Sequence, residues 1–381
     1  MRTVRILFTV ITLILLAGAR LVAAADVAVW AYDFPRWSEG EWEAKAATLP
    51  FGTRHLYANV EDGQRFLLDD ESYASNTQHL VSTARGRSGV LVHALMLQDT
   101  RWLDDHTGAL ERLARIVSLN RFRPEEAFAG VHVDVEPDTL ERWECDGIPE
   151  RRALFEKLQA LLARIGSGLP PPRRGGQGRL QFSAALPWWI GLASADIPEA
   201  SPRRFFESLD EIVLMAYGDP GGPLVGGSAA TLLQRLDDVR LWRDVPTGKG
   251  IRIGLATYEY KSVNDLLATV GELDRAFAGR SGYRGTAIFH LAGNYGAPLT
   301  ASVRGLVRDA AGKPVAGARV RVGERVTATN RCGRFVFRDL PASKGEIEIK
   351  KFGFQATTVP VVNLTPGREL EIPSIVLSRN P

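Results

Sequence analysis

From Asp26 to Gly296 the chain repeats one pattern, a short β-branched or aromatic run followed by a longer stretch with apolar residues at three- and four-residue spacing. That alternation restricts the fold to the α/β class with a parallel sheet, because parallel neighbours need crossovers long enough to hold a helix. Eight runs carry the strand signal: Val27–Tyr32, Thr53–Asn59, Gly89–Met96, Gly130–Glu136, Leu180–Leu186, Glu211–Tyr217, Ile251–Thr257 and Thr286–Leu291. Gly108–Leu119, Pro149–Ile165, Ala229–Arg243 and Ser262–Phe277 read as amphipathic helices between them. Eight such units fit a closed (β/α)8 TIM barrel, assigned to residues 26–298. An open doubly wound sheet would place a Gly-rich phosphate loop after its first strand; Gly175, Gly176 and Gly178 instead precede a strand.

Catalytic groups of such barrels sit at the carboxyl ends of the strands. The fourth run, Gly130-Val131-His132-Val133-Asp134-Val135-Glu136-Pro137, alternates strictly, so His132, Asp134 and Glu136 share one face. Three ionisable groups on an inward face must form a network, since a buried unpaired charge costs several kcal/mol. Glu136, nearest the rim, is the predicted general acid, its pKa raised by partial burial and a neighbouring carboxylate. Asp134 is its predicted partner, and His132 is expected to hydrogen-bond Asp134 and orient it from below. Aromatics cluster at other strand ends: Trp30 and Tyr32 on the first, Trp188 and Trp189 after the fifth, Tyr217 on the sixth, and Tyr258 with Tyr260 after the seventh. Rings there offer platforms for the CH faces of sugars. His290 on the eighth strand joins this predicted substrate-binding set. Asp33, Asp99 and Asp219 are candidates for a second carboxylate.

The fourth strand resembles the D-G-x-D-x-D-x-E signature of the family 18 glycoside hydrolases, the chitinase-like barrels, with Ala129 and His132 standing where that signature has Asp. Leu214-Met215-Ala216-Tyr217-Gly218-Asp219 resembles the family's M-x-Y-D, with Gly218 inserted before the Asp. The resemblance implies that Glu136 is the acid and that Tyr217 contacts a substrate N-acetyl group acting as internal nucleophile. Strand eight lacks the Trp that chitinases carry there, so the likeness points to a divergent relative. The fourth strand, Gly130 to Pro137, also looks like one found in uncharacterised secreted barrel proteins.

From residue 301 to 381 the texture changes to short alternating strands with turn residues between them, which reads as a small all-β sandwich. Val303-Arg304-Gly305-Leu306-Val307, Gly317-Ala318 and Thr329-Asn330-Arg331-Cys332-Gly333-Arg334-Phe335 resemble the carboxypeptidase regulatory-like (transthyretin-like) domain. That likeness implies an accessory domain without chemistry of its own.

Arg2 and Arg5, an apolar run from Ile6 and the small residues Ala23-Ala24-Ala25 have the layout of a secretory signal over residues 1–25, predicting a secreted or periplasmic protein without a membrane span in the mature chain. A net charge of +3 with scattered basic residues gives no reason to expect nucleic acid. Cys145 and Cys332 lie in different predicted domains, which supports neither a disulfide framework nor a zinc site and leaves a single inter-domain bridge as an alternative. The leading reading is therefore a glycosidase acting on an extracellular or cell-envelope polysaccharide, needing neither cofactor nor metal. Two others stand beside it: a barrel that only binds polysaccharide, motivated by Ala129 and His132, and a metal-dependent hydrolase using His93, His132, Asp134 and His290. The oligomeric state is not encoded in these patterns.

Overall fold

The computed structural model describes residues 26–171, 179–217, 229–237, 242–243, 245–289, 301–340, 345–361, 364 and 369–380. The predicted signal segment, the glycines at 175, 176 and 178, and the predicted site residues Asp219 and His290 lie outside the described residues.

Eight parallel strands close into a barrel: β1 (Val27–Ala31), β2 (Thr53–Asn59), β3 (Leu91–Met96), β4 (Gly130–Val133), β5 (Gln181–Pro187), β6 (Glu211–Met215), β7 (Gly250–Ala256) and β8 (Tyr283–Phe289). Each pairs with its sequence neighbours, and β8 returns to β1 through Val27↔Thr286, Ala28↔Ala287 and Val29↔Ile288. Helices Glu71–Ser88, His106–Phe122, Gly147–Gly168 and Val263–Phe277 pack outside. The apolar stripes of these helices and the outward strand residues, such as Val29, Leu56, Val131 and Ile253, form the large core between the layers. No described helix is long and apolar enough to cross a membrane.

β4 is shorter than its alternation predicts and ends at Val133. Pro137 opens a 3-10 turn, Pro137–Thr139, directly after Glu136. Proline has no N–H to give a ladder, so the pairing cannot run through it, and Asp134 to Glu136 form the segment leaving the barrel. At the other end of β4 the motif glycine is required by space. A Cβ on Gly130 would lie 2.4 Å from both the Gln181 carbonyl oxygen and His93 Nδ1.

The barrel interior holds a small apolar cluster of Ala28, Trp30, Tyr57, Leu95, Val213 and Ala287. Toward its amino-terminal end lies an ion pair that sequence patterning left unassigned. Arg252 donates from Nε to Glu211 Oε1 and from Nη2 to Glu211 Oε2, both at 3.2 Å. Tyr57 Oη donates to Glu211 Oε1 at 2.9 Å. Burial alone would push the Glu211 carboxyl up, but Arg252, followed by His55 and Tyr57, more than offsets it and holds it below the usual carboxylate range.

Residues from 301 onward form two sheets. β9 (Ala301–Asp309) lies between β12 (Arg334–Leu340) and β15 (Glu369–Leu377). The second sheet has the order β11 (Arg325–Ala328), β10 (Arg319–Val322), β13 (Gly345–Lys350), β14 (Thr357–Val361). Val303, Val307, Phe335, Phe337, Ile347 and Ile349 fill the space between. β11 is largely exposed, without the alternating burial of its neighbour β10.

Cys145 and Cys332 form a disulfide, with Cα atoms 5.4 Å apart. The expectation against a bridge rested on sequence distance and a domain boundary. The fold overrides both by seating the sandwich turn around Asn330 against the short helix Glu141–Cys145.

Removing one partner of a buried ion pair strands the other charge, at a cost of about 3–5 kcal/mol. Arg252→Leu is therefore expected to lower barrel stability in urea unfolding by that amount, and Glu211→Leu/Arg252→Leu to recover most of it. Because Glu211 titrates below its unfolded range of about 4.3, the wild-type contribution is full above that range and lost as pH falls through the folded value.

Candidate active site

The carboxyl rim gathers residues from four strands around the segment that leaves β4. Tyr32 follows β1, Tyr217 follows β6, Tyr258 follows β7 in the 3-10 turn Thr257–Glu259, and Phe289 ends β8. Phe289 is the hub of these rings: Tyr217 stacks on it at 5.5 Å and 29°, while Tyr32 and Tyr258 meet it edge-on at 5.6 and 6.4 Å. Tyr217 and Tyr258 also meet edge-on at 6.4 Å. Gly254 on β7 makes room for this, since a Cβ there would lie 2.8 Å from the Leu214 carbonyl oxygen and 3.3 Å from Tyr217 Cε1.

The phenols sit within electrostatic reach of the acids. Burial, then the charges of Asp134 and Glu136, push the Tyr32 hydroxyl well above its usual range. Burial raises Tyr217 as well, followed by Asp134, Tyr258, Tyr32 and Glu136. Asp134, Glu136, Tyr32, Tyr217 and Tyr258 are thus one electrostatic group. Asp134 is half-buried; its Oδ1 is sealed from solvent and has no hydrogen-bond partner among the described residues. Burial first, then the nearby Asp138, raises its pKa to about 6. Asp138 escaped the sequence reading because the alternating run stops at Glu136; an acid just past the strand-ending proline was the available signal.

Other predicted site residues are placed differently. Trp30 is fully buried inside the barrel, edge-on to His132 at 5.7 Å and tilted on Tyr57 at 5.2 Å, so it supports the rim and offers no open platform. Strand alternation identifies its face but not its depth. His132 does not hydrogen-bond Asp134: its Nδ1 pairs with Ser183 Oγ at 2.8 Å and its ring stacks on Tyr57 at 4.0 Å and 14°. Burial drives its pKa down to about 3, so it is neutral. Trp188 and Trp189 are half-buried against the outer core, Trp189 on Trp143 at 5.6 Å and Trp188 beneath the Arg235 guanidinium at 5.1 Å. Tyr260 is buried. Asp33 is exposed and paired with Arg36 at 3.4 Å, while Asp99 caps the turn Thr100–Leu103 by accepting from Arg101 N–H. Neither is drawn into the tyrosine and acid group.

His93 pairs with His55, Nε2 to Nδ1, at 2.9 Å, away from Asp134. Among the described residues no group of three or more His, Cys, Asp or Glu could hold a metal ion. A separate cleft of about 680 Å³ opens beside the barrel between the Glu61–Phe66 hairpin and helix His106–Phe122, lined by Gln64, Phe66, Trp102, Glu111 and Arg112 among others. It contains none of the predicted site residues.

A model of the carboxypeptidase regulatory-like domain matches residues 302–378. No curated protein matches the chain significantly. Solved structures similar to it include a chitinase from Chromobacterium violaceum, at 13% identity over 70% of this chain and 94% of that one, with a TM-score of 0.45. The C-terminal domain of a candidate chitinase from Desulfitobacterium hafniense aligns over 88% of this chain and 86% of its own at 13% identity and a TM-score of 0.43. A cohesin–X-dockerin complex from Acetivibrio cellulolyticus aligns over 20% of this chain, at 18% identity and a TM-score of 0.18, so that 56% of that chain's length is spanned. Likenesses at this level leave the chemistry to be argued from the residues.

The raised Asp134 pKa makes two expectations. A group whose folded pKa lies above its unfolded value of about 3.9 favours the folded state below that value, and this contribution is lost as pH rises through about 6. Wild type should therefore lose stability relative to Asp134→Asn across that window in denaturant titrations. Asp138→Asn removes the like charge and should move the Asp134 midpoint downward in an infrared carboxyl titration; an unmoved midpoint would separate the two acids.

Proposed function

We propose that this chain is an exported glycoside-hydrolase-like protein that cleaves glycosidic bonds in an extracellular or cell-envelope polysaccharide. The observation that carries this reading is the grouping of Asp134 and Glu136 with Tyr32 and Tyr217, whose hydroxyls both feel both carboxylates. In this reading Glu136 donates its proton to the glycosidic oxygen as the bond to the anomeric carbon breaks. Asp134, able to change protonation near pH 6, steadies the group that attacks that carbon from the other side. On an N-acetylated sugar that group is the substrate's own acetamide oxygen, with Tyr217 as its hydrogen-bond donor. On other sugars it is a water, with Asp138, whose charge acts on Asp134, as its candidate base. Tyr258, 39% exposed, offers its ring to the sugar face.

Export rests on the signal-like residues 1–25 and is supported by the Cys145–Cys332 disulfide, since such bonds persist in oxidising compartments. The regulatory-like domain suits an accessory role. One observation favours the binding-only alternative: His132, where the resembled signature has an acid, is neutral and turned toward Ser183.

Glu136→Gln should lose at least ~100-fold in reducing-end release from a panel of N-acetylated and non-acetylated polysaccharides, with its thermal midpoint nearly unchanged. Equal rates in mutant and wild type would remove Glu136 from the mechanism. Retention of one polysaccharide with no release by wild type would turn the reading to the binding protein.

A further inference from the structure

The segment that carries the acids is also the segment that holds the second domain. Asp134, Glu136 and Asp138 are followed by the short helix Glu141–Cys145 and Asp146, before the long helix Gly147–Gly168 begins. Nothing pairs this stretch into the barrel sheet, because β4 has already ended at Val133. A five-residue helix is far below the roughly 12–15 residues at which helices hold themselves in water, so its position must come from tertiary ties.

Those ties come from two sides. From the barrel, Trp143 packs edge-on against Phe155 at 5.2 Å and leans on Trp189 at 5.6 Å, Arg151 Nε donates to the Trp143 carbonyl at 2.8 Å, and Arg142 pairs with Glu150 at 3.3 Å. From the sandwich, one turn adds four more. Asn330 Nδ2 donates to Glu144 Oε2 at 2.9 Å, the Arg331 backbone N–H donates to Glu141 Oε1 at 2.5 Å, the Arg331 guanidinium pairs with Asp146, and Cys332 is bonded to Cys145.

The turn is built to be stiff. Asn330 Oδ1 accepts from the backbone N–H groups of Cys332 at 3.2 Å and Arg334 at 2.8 Å. Thr329 Oγ1 donates to the Val315 carbonyl at 2.6 Å and accepts from Ala318 N–H at 2.8 Å. Gly333 adopts φ +77°, and a Cβ there would lie 2.3 Å from the Val307 carbonyl oxygen.

We propose that this sandwich turn positions the acid-bearing segment, with Arg331 as the positioning residue, so that the barrel and the regulatory-like domain work as one catalytic unit. Arg331 touches no substrate; it acts by fixing Glu141 and Asp146, and through them the chain that presents Glu136 and Asp138. The catalytic consequence rests on the hydrolase reading, whereas the holding of the segment does not.

The test uses the full mature chain, comparing wild type, Arg331→Ala/Cys332→Ser and Arg331→Lys/Cys332→Ser. Hydrogen exchange in peptides spanning Glu136–Asp146 should rise about 10-fold or more in the Ala variant, with peptides from β6 and β7 unchanged, and the Lys variant should regain much of the protection. On a polysaccharide that wild type cleaves, kcat of the Ala variant should fall by about 10-fold or more with KM within about twofold, as expected when a reacting group is displaced by a fraction of an ångström. Unchanged exchange overturns the proposal. So does raised exchange with unchanged kcat, or a rise confined to KM, which would make the sandwich a binding surface. A wild type that cleaves nothing overturns the hydrolase reading instead, and exchange alone then decides whether the turn holds the segment.

Discussion

Glu211 and Arg252 face one another across β6 and β7 with almost no access to water, and neither could be buried there alone. Their pairing lets a polar column stand inside the barrel. Tyr57 donates to Glu211 and lays its ring against His132; His132 pairs with Ser183; Trp30 meets His132 edge-on and tilts against Tyr57. Phe289 then rests against Trp30 at 6.0 Å and carries Tyr217, Tyr32 and Tyr258 at the rim. Each layer takes its place from the one below, so the positions of the rim phenols trace back to one buried ion pair.

The acids obey a different constraint. β4 stops pairing at Val133, which leaves Asp134, Glu136 and Asp138 outside strand geometry, and Pro137 opens a 3-10 turn between the last two. Burial, and then the nearby Asp138, has an electrostatic consequence: Asp134 keeps its proton to about pH 6. Geometry that strand pairing would have supplied comes instead from the sandwich, through the ties of Asn330, Arg331 and Cys332.

Much of this was legible in the order of residues, because period-two and helical patterns are local properties. All eight barrel strands fall where the runs predict, with ends displaced by up to three residues, as at β4 and β8. On β4 the alternation continues to Glu136 while pairing stops at Val133, because alternation reports the face of a side chain and not the pairing of its backbone. A period of two reports which face a side chain takes, not how far down the barrel it lies. That is why Trp30 and Tyr32, two residues apart on one face, end up as core and rim. His132 was assigned to Asp134 as its neighbour on the same strand, whereas its partner lies across on β5. Glu211 and Arg252 had left a trace, single charges within apolar strands. The disulfide was legible only as an alternative for the two cysteines, since closeness in space between distant domains is not a property of either segment.

The disulfide has a bearing on how the protein matures. With two cysteines in the sequence, oxidation within one chain has a single product, so no scrambled isomer competes and no reshuffling is required. The partners are 187 residues apart, and the later one belongs to the second domain. The bond can therefore close only after the barrel and the sandwich as far as Cys332 have been synthesised. Joining so long a loop removes about 5 kcal/mol of denatured-state entropy in the chain-entropy account. Molecules truncated before Cys332 forgo that reinforcement at the segment bearing the acids, so the tie reaches only chains completed through the second domain.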